Sequence, residues 1–263
     1  LDPSALALAI ADDGAQGLLP AGAILSGGGT GTGATDPVAA CVNVARQAGL
    51  YTHVDAAWAG SAMICPEFRH YWRGVEGADS LVFNPHKWLG AQFDCAAHFV
   101  ADPKSLRQTL AISPEYLKTS EAEGITVYSE WSIPLGRRFR ALKLWFLLRS
   151  EGLEALRTMI RNHVCWAERL HDRLSTLPQI QIQTVPMLSL FTFRHVAGDE
   201  ATRDLLTRIN ADGRIYLTPT SANGHAVIRF QAGQFEMTEA DADLAYDVIA
   251  ELSAADPATA ALM

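Results

Sequence analysis

The sequence predicts an α/β fold with a mostly parallel sheet, followed by a smaller α+β unit. In the first part, short apolar runs alternate with helical segments, and the runs end at polar or glycine-rich turns. After Pro178, several short strand candidates follow one another with only two helical segments among them. We therefore expect two domains, over residues 1–150 and 151–263, with the first supplying a binding crevice.

The individual elements follow from periodicity and from helix-capping residues. Asp2-Pro3 and Asp36-Pro37 are typical helix starts, and Gly152 interrupts an otherwise helical stretch. Helices are predicted over 3–12, 36–48, 104–112, 139–177, 200–211 and 238–253. Strands are predicted over 21–26, 51–54, 80–83, 180–184, 189–193, 215–218 and 227–231.

Composition excludes several classes of protein. The 263 residues are 49% hydrophobic and 19% charged, and the net charge of −8 without a basic stripe argues against nucleic acid as a partner. We find no membrane span and no signal-peptide pattern. The four cysteines, which lack metal-site spacing, are typical of small buried residues in a reducing compartment; they are Cys41, Cys65, Cys95 and Cys165. We expect a cytoplasmic protein without a metal site.

The stretch Phe83-Asn84-Pro85-His86-Lys87-Trp88 is the most informative part of the chain. A strand-like run ends at a proline, which cannot continue a central ladder, so the next side chains reach the crevice at the strand end. A lysine removed from water there has its charged form disfavoured and its amine made nucleophilic. The ordinary interpretation is a surface lysine after a strand.

A second informative stretch runs from His53 to Gly60. Asp55 stands at a strand end, and the two alanines after it leave a flat apolar floor beside the carboxylate. This arrangement suits a planar aromatic ring whose nitrogen pairs with the carboxylate. The alternative is an aspartate that caps the next helix, and the stretch alone does not decide between them.

The glycine-rich loop over residues 27–33 supports a rival hypothesis. Gly29, Gly31 and Ala34 fit a dinucleotide fingerprint, with Asp55 on the next strand as the ribose-binding acid. The fit is imperfect, because Asp36-Pro37 caps the helix afresh. The loop is not a Walker A loop, since no Gly-Lys-Ser/Thr follows it.

Taken together, these stretches resemble the group II pyridoxal-phosphate-dependent amino acid decarboxylases, and above all the aromatic-L-amino-acid decarboxylases. The resemblance covers essentially the whole chain in order. Besides the two stretches above, it rests on the segments 65–70 and 133–140. It implies a fold-type-I architecture, pyridoxal 5'-phosphate as cofactor, and an obligate dimer with the site at the interface.

The resemblance also assigns roles to individual residues. Lys87 is the Schiff-base lysine, Asp55 pairs with the ring nitrogen, Ala57 packs under the ring and His86 precedes the lysine as in the family. The other cofactor-binding positions implied are Thr30, Ser80, Asn84 and Gly136, of which Gly136 approaches the partner subunit's phosphate site.

The polar loop 113–130 is expected to be a lid that carries a tyrosine into the neighbouring subunit's site. Tyr116 fits the motif Pro-x-Tyr-Leu-Lys and is implied to protonate the substrate's α-carbon; Tyr128 is the competing candidate. Arg229, in a predicted strand, is able to bind a carboxylate, but we expect it to form a structural ion pair.

The function implied is decarboxylation of an L-amino acid, with an aromatic one favoured, to the amine and carbon dioxide. The family has an upstream segment with ring-stacking and phosphate-binding residues that this sequence lacks, so a second chain or a longer protein is expected to supply it. The alternatives are a catalytically silent assembly partner that keeps the fold, or a related aromatic aldehyde synthase.

Overall fold

The computed structural model describes residues 1–111, 126 and 128–254, and these form two separate four-stranded sheets. The first sheet has the order β1-β2-β3-β4, and β1, β2 and β3 are parallel while β4 is antiparallel to β3. Its strands are β1 (Gly22–Ser26), β2 (Tyr51–Asp55), β3 (Ser80–Phe83) and β4 (Ala97–Val100). The prediction of a parallel-rich α/β sheet is confirmed, although β4 was not predicted.

Helices of the described chain cover one face of the first sheet. Helices α1 (Pro3–Ala15) and α2 (Val38–Gln47) precede and follow β1. Leu25 and Val54 are fully buried in a cluster with Val42 of α2. On the opposite face Ile24 is 76% exposed and Tyr51 is 51% exposed. Parallel sheets are normally covered on both faces, so this second face is open to further protein.

The predicted starts of the first two helices have different outcomes. Asp2 caps α1 as expected, since its carboxylate accepts from the amide of Ala5 at 2.9 Å. Asp36 does not cap α2, which begins at Val38. Asp36 is instead buried, and its carboxylate accepts from the amide of Ser26 at 2.7 Å. It therefore fixes the glycine-rich loop, which lies between β1 and α2.

The second sheet is entirely antiparallel and has the order β5-β6-β8-β7. Its strands are β5 (Ile180–Met187), β6 (Leu190–His195), β7 (Thr218–Ala222) and β8 (His225–Gln231). Helices α6 (Asp199–Asp212) and α7 (Glu239–Ala254) pack on it through a core that includes Phe191, Phe193 and Ile228. The predicted α+β layer is confirmed.

The predicted strand 215–218 is wrong in position. The strand lies over Thr218–Ala222, an edge of the second sheet paired only with β8. An edge strand needs no continuous apolar run and tolerates Pro219, which has no amide proton to donate. The apolar residues Ile215 and Leu217 pack against the core before the strand begins.

Between the two sheets, the described part of the chain forms three α-helices: α3 (Pro103–Leu110), α4 (Ala141–Ser150) and α5 (Leu153–Ser175). The interruption at Gly152 is confirmed. Helix α5 contacts both layers, because Ile160 packs in a cluster with residues of the first sheet's loops and Leu170 packs in the core of the second sheet. His163 is fully buried on this helix, as predicted.

Two composition-based expectations can be compared with the described residues. Cys41, Cys65 and Cys95 are buried and unpaired, whereas Cys165 is exposed, contrary to prediction. Within residues 1–111 and 128–254, every helix is too short or too polar to cross a bilayer.

Candidate active site

Asp55 and Lys87 lie at or just beyond the carboxyl ends of two neighbouring parallel strands, β2 and β3. Asp55 ends β2 and is in register with Val82 of β3, one residue before the strand ends. The carboxylate of Asp55 accepts from the amide of Ala57 at 2.9 Å, which turns the chain so that Ala57 lies beside the carboxyl group. The predicted aspartate with an adjacent small apolar residue is therefore present.

The turn that carries Lys87 is closed on itself by backbone hydrogen bonds. The Lys87 amide donates to the Asn84 carbonyl at 2.9 Å, and the Ala91 amide donates to the Pro85 carbonyl at 3.0 Å. Pro85 is buried and Trp88 is 2% exposed, but Lys87 is exposed. The expectation of a desolvated lysine is thus wrong for the described chain, because these residues surround the amine on only some sides.

Lys87 lines a cavity of about 430 Å³ between the two layers. Thr30, Trp58 and Trp88 line the same cavity from the first layer. The opposite wall comes from the second sheet and the segments that flank it, and includes Tyr216, Thr218, Arg229 and Gln231. The structure therefore brings Thr30 and Lys87 to one site.

Two buried polar atoms of these segments have no hydrogen-bond partner among the described residues. They are the indole nitrogen of Trp58, which lines the cavity, and the side-chain oxygen of Asn84, in the turn that carries Lys87. An unpaired buried polar group costs about 1–3 kcal/mol. One is a donor and the other an acceptor, and they accompany an amine at Lys87 and a carboxylate at Asp55. This donor set fits a polar aromatic aldehyde, which needs an amine for attachment and a carboxylate for a ring nitrogen.

Thr30 is held from the opposite wall. The Nε of Arg229 donates to the Thr30 carbonyl at 2.6 Å, and another guanidinium nitrogen donates to the Gln231 side-chain oxygen. Burial lowers the pKa of Arg229. The expected ion pair of Arg229 is wrong, since none of the described carboxylates contacts it. The missed residue Gln231 lies two positions further along the same strand, on the same face.

His86 is half-buried and is held by the turn that follows. Its Nδ1 lies 2.7 Å from the Cys95 carbonyl oxygen and 3.0 Å from the Cys95 amide nitrogen, and its ring packs edge-on against Phe93. With Nδ1 occupied by backbone, Nε2 is the nitrogen left for a ligand. The order His86-Lys87 therefore gives a fixed imidazole next to an exposed amine.

Ser80 lies at the opposite end of β3 from Lys87. It is buried, it is in register with His53, and its hydroxyl lies 2.7 Å from the Nδ1 of His53. Burial lowers the pKa of His53, with the positive charge of nearby His98 as the second cause. The structure does not bring Ser80 together with the strand-end residues.

The remaining predicted residues lie elsewhere. Gly136 is exposed and does not line the cavity. Tyr116 and most of the predicted lid 113–130 lie outside the described residues. Tyr128, the competing candidate, is 69% exposed in a short 3₁₀ turn, Tyr128–Trp131.

Two tryptophans without a predicted role at the site line its cavity. Trp58 and Trp88 lie with ring centroids 5.3 Å apart, and the Nε1 of Trp88 donates to the Nδ1 of His163 at 2.9 Å. The sequence signal that could have placed them at the site is their position directly after the Asp55 and Lys87 motifs. The contact between the two rings depends on tertiary packing, which sequence periodicity does not predict.

Comparison with known proteins decides the family. Residues 1–196 match the model of the pyridoxal-dependent decarboxylase conserved domain. The chain belongs to the pyridoxal-dependent decarboxylase family. The dinucleotide hypothesis is therefore set aside, in agreement with the start of α2 at Val38, four residues beyond the last small residue of that motif.

Individual members of the family align with nearly all of this decarboxylase-family chain. It is 40% identical over 243 residues to a tryptophan decarboxylase from Camptotheca acuminata, an alignment with 89% of this chain and 48% of the relative. It is 40% identical over 260 residues to a phenylacetaldehyde synthase from Arabidopsis thaliana, covering 95% and 53%.

Among solved structures, an Oryza sativa tryptophan decarboxylase determined with pyridoxal phosphate and tryptamine superposes with a TM-score of 0.92 at 36% identity. That match covers 96% of this chain and 54% of the solved one. The fold-type-I architecture is therefore confirmed. The chain spans about half the length of the relatives it matches.

Proposed function

We propose that this chain is the lysine-bearing part of a pyridoxal-phosphate-dependent decarboxylase that converts an aromatic L-amino acid to its amine and carbon dioxide. The observation that carries the proposal is the placement of Asp55 and Lys87 at the ends of adjacent parallel strands, with Lys87 lining a cavity that the unpaired indole nitrogen of Trp58 also lines. The named activities of the relatives support the aromatic substrate.

Each residue has a role that follows from its chemistry. Lys87 supplies the amine for attachment of the cofactor aldehyde, and Asp55 supplies the negative charge that keeps a ring nitrogen protonated. Ala57 offers a small apolar surface to the ring face. When bound, pyridoxal phosphate supplies a conjugated ring that takes up the electron pair released as carbon dioxide leaves. The chain's own residues orient that ring and hold its proton.

The other polar groups complete the binding site. The Trp58 indole N–H and the Asn84 side-chain oxygen gain partners when a polar cofactor fills the cavity. Thr30 binds it from the glycine-rich loop and His86 through Nε2. Ser80, whose hydroxyl contacts His53 at the other end of β3, is given no direct contact with the cofactor. We assign protonation of the substrate's α-carbon to Tyr116 and place Gly136 at a partner subunit's site.

We favour decarboxylation over aldehyde formation, although one relative is an aldehyde synthase. The reason is the tyrosine at position 116, since aldehyde synthases commonly carry phenylalanine at the corresponding loop position. The tyrosine hydroxyl is able to donate a proton to the substrate's α-carbon, which yields the amine. Phenylalanine has no acidic proton to donate.

The complete protein is proposed to be cytoplasmic, and this part of its chain is proposed to have two domains, 1–150 and 151–263. It is also proposed to be a homodimer. The exposure of α4 supports an assembly, because no residue of this helix is buried and Trp145 and Phe146 on it are 53% and 59% exposed. Large apolar side chains exposed together on one helix are typical of a surface that other protein covers. The open face of the first sheet is proposed to be covered by the remaining half of the fold.

The activity is tested on the complete assembly by measuring amine and carbon dioxide release from aromatic amino acids, histidine and glutamate. Equal release of both products from an aromatic substrate is expected, with Lys87→Ala inactive and the exposed Lys104→Ala active as its matched control. Wild-type assembly that is supplied with pyridoxal phosphate and releases no amine would favour the silent partner. Activity retained in Lys87→Ala would refute the role of Lys87.

A further inference from the structure

We propose that His163 is a positioning residue: by accepting the indole hydrogen bond of Trp88, it sets the turn that carries Lys87 against the opposite wall of the cavity. This inference rests on the proposed function and adds to it a residue that does not contact the site. His163 lies on α5, 75 positions beyond Trp88 in the chain.

The bond is fully enclosed. Trp88 is 2% exposed, His163 is 0% exposed, and Nε1 lies 2.9 Å from Nδ1. The two rings are nearly parallel, with 12° between their planes. Burial lowers the pKa of His163 to about 4, so the ring is neutral at physiological pH. Because Trp88 donates, Nδ1 carries no proton, and the ring proton lies on Nε2.

Hydrogen bonds connect the turn that carries Lys87 to the rest of the protein. Two of them join it to other parts of the first layer: the Asn84 amide donates to the Ala57 carbonyl, and the His86 amide donates to the Cys95 carbonyl. The Trp88–His163 bond alone, among the described hydrogen bonds of this turn, reaches α5. That helix continues into the core of the second sheet, whose residues form the other cavity wall.

The consequence is a fixed distance between the two walls. Trp88 is the residue directly after Lys87, so a shift of its ring moves the lysine's main chain. If the indole N–H loses its acceptor, a buried donor is left unpaired, and the turn relaxes to satisfy it. Attachment of a cofactor at Lys87 is then slowed even though no residue that contacts the cofactor has changed.

The experiment measures covalent attachment of pyridoxal phosphate to Lys87 in the complete assembly. Cofactor-free protein is mixed with pyridoxal phosphate, quenched with borohydride at intervals, and the fraction of labelled Lys87 peptide is determined by mass spectrometry. Melting temperature is recorded for the same samples. The variants are His163→Leu, His163→Asn, Trp88→Phe, the Trp88→Phe/His163→Leu pair, and Leu156→Ala as a control for core damage on the same buried helix face.

We expect His163→Leu to slow attachment about tenfold, which corresponds to one unpaired buried donor. His163→Asn keeps an acceptor near the Nδ1 position and is expected to stay within about twofold of wild type. The pair is expected to be no slower than Trp88→Phe alone, because the donor is already gone. Leu156→Ala is expected to lower the melting temperature without slowing attachment.

Three results overturn the inference: His163→Leu no slower than Leu156→Ala, His163→Asn as slow as His163→Leu, or additive effects in the pair. If His163→Leu does not fold, His163→Gln, whose longer side chain misplaces the acceptor, takes its place under the same criteria. Wild-type protein that attaches no cofactor at Lys87 refutes the proposed function itself, and this inference with it.

Discussion

The amide of Asn84 donates to the carbonyl of Ala57 at 2.8 Å, which joins the loop after Asp55 to the turn that carries Lys87. A second bond between the same strands, from the Ala56 amide to the Val82 carbonyl at 3.0 Å, lies just before it. The main chain after Asp55 and the main chain that leads to Lys87 are therefore joined by consecutive hydrogen bonds. Their relative position is set by the pairing of β2 with β3.

Replacing Asp55 with Asn tests the role of the negative charge on the Asp55 carboxylate. Asparagine keeps the oxygen that accepts from the Ala57 amide but removes the negative charge that holds a proton on the cofactor ring. We expect kcat to fall at least about a hundredfold, in the range typical of a positioned proton-transfer group. Steady-state amine release by the complete assembly, with melting temperature alongside, provides the measurement.

Asp102→Asn is the matched control for that substitution. Asp102 makes the same type of contact, since its carboxylate accepts from the amide two residues later, Lys104, at 3.0 Å. It lies at the start of α3, away from the cavity. Equal losses of kcat in Asp55→Asn and Asp102→Asn would mean that Asp55 has only a turn-forming role.

Replacing Arg229 with Gln tests the connection across the cavity. The Arg229 guanidinium donates to the Thr30 carbonyl at 2.6 Å, and a charged donor of this kind stabilises by about 1.5–3 kcal/mol. Thr30 lines the cavity, so its release is expected to weaken pyridoxal phosphate binding about tenfold or more. Titration of cofactor-free assembly with pyridoxal phosphate, followed by absorbance, gives the affinity.

Arg208→Gln controls for loss of an arginine that binds a carbonyl elsewhere. Arg208 donates to the Leu252 carbonyl at 2.6 Å, between α6 and α7. This variant is expected to lose stability but to keep its cofactor affinity. An Arg229→Gln protein whose affinity changes no more than that of Arg208→Gln would refute the role of Arg229.

Gly28 is a position where only glycine fits. Its φ is +122°, and a Cβ there would lie 2.4 Å from the Cβ of Ala59. We expect Gly28→Ala to lower the free energy of unfolding by at least about 1 kcal/mol, because the loop must move and the backbone is strained. Gly14→Ala, in helix α1 with no atom within 4 Å of the new Cβ, is expected to raise it by about 0.5–1 kcal/mol.

These two glycine variants are compared by denaturant unfolding of the complete assembly. The opposite signs of the two changes are the decisive feature, since both introduce the same methyl group. Destabilisation by Gly14→Ala equal to that by Gly28→Ala would show that loop geometry at Gly28 is not special.

The pH dependence of stability reports on His163. Its pKa is about 4 in the folded protein and 6.5 in the unfolded chain, so between these values only the unfolded state binds the proton. The contribution of the neutral ring is complete above pH 6.5, falls as pH decreases to about 4, and then levels off. At about 1.4 kcal/mol per pKa unit, the total loss is on the order of 3 kcal/mol.

His163→Asn removes this proton-binding group while keeping an acceptor for Trp88. The difference in unfolding free energy between wild type and His163→Asn is therefore expected to shrink from pH 7 to pH 4. A difference that is constant over this range would mean that His163 does not stay neutral in the folded protein.

The positions of Asp55 and Lys87 at strand ends could be predicted from the sequence, because the local pattern of apolar and polar residues determines where the strands end. Asp55 and Lys87 each follow a short apolar run, and parallel strands bring their carboxyl ends together. Strand β7 was misplaced because its residues, Thr218–Ala222, are mostly polar or proline and show no apolar alternation in the sequence. The contacts of Arg229 with Thr30 and of Trp88 with His163 join residues 199 and 75 positions apart, and neither propensity nor periodicity carries information over such separations.

The Lys87 amine is the proposed attachment point of pyridoxal phosphate. The direct measurement is borohydride reduction of the complete assembly loaded with cofactor, followed by proteolysis and mass mapping of all labelled lysines. We predict a single label on the peptide that contains Lys87, and no label on any peptide in matched wild-type samples that lack cofactor. Label at Lys104 or Lys143 in place of Lys87, or no covalent label anywhere, would contradict the account.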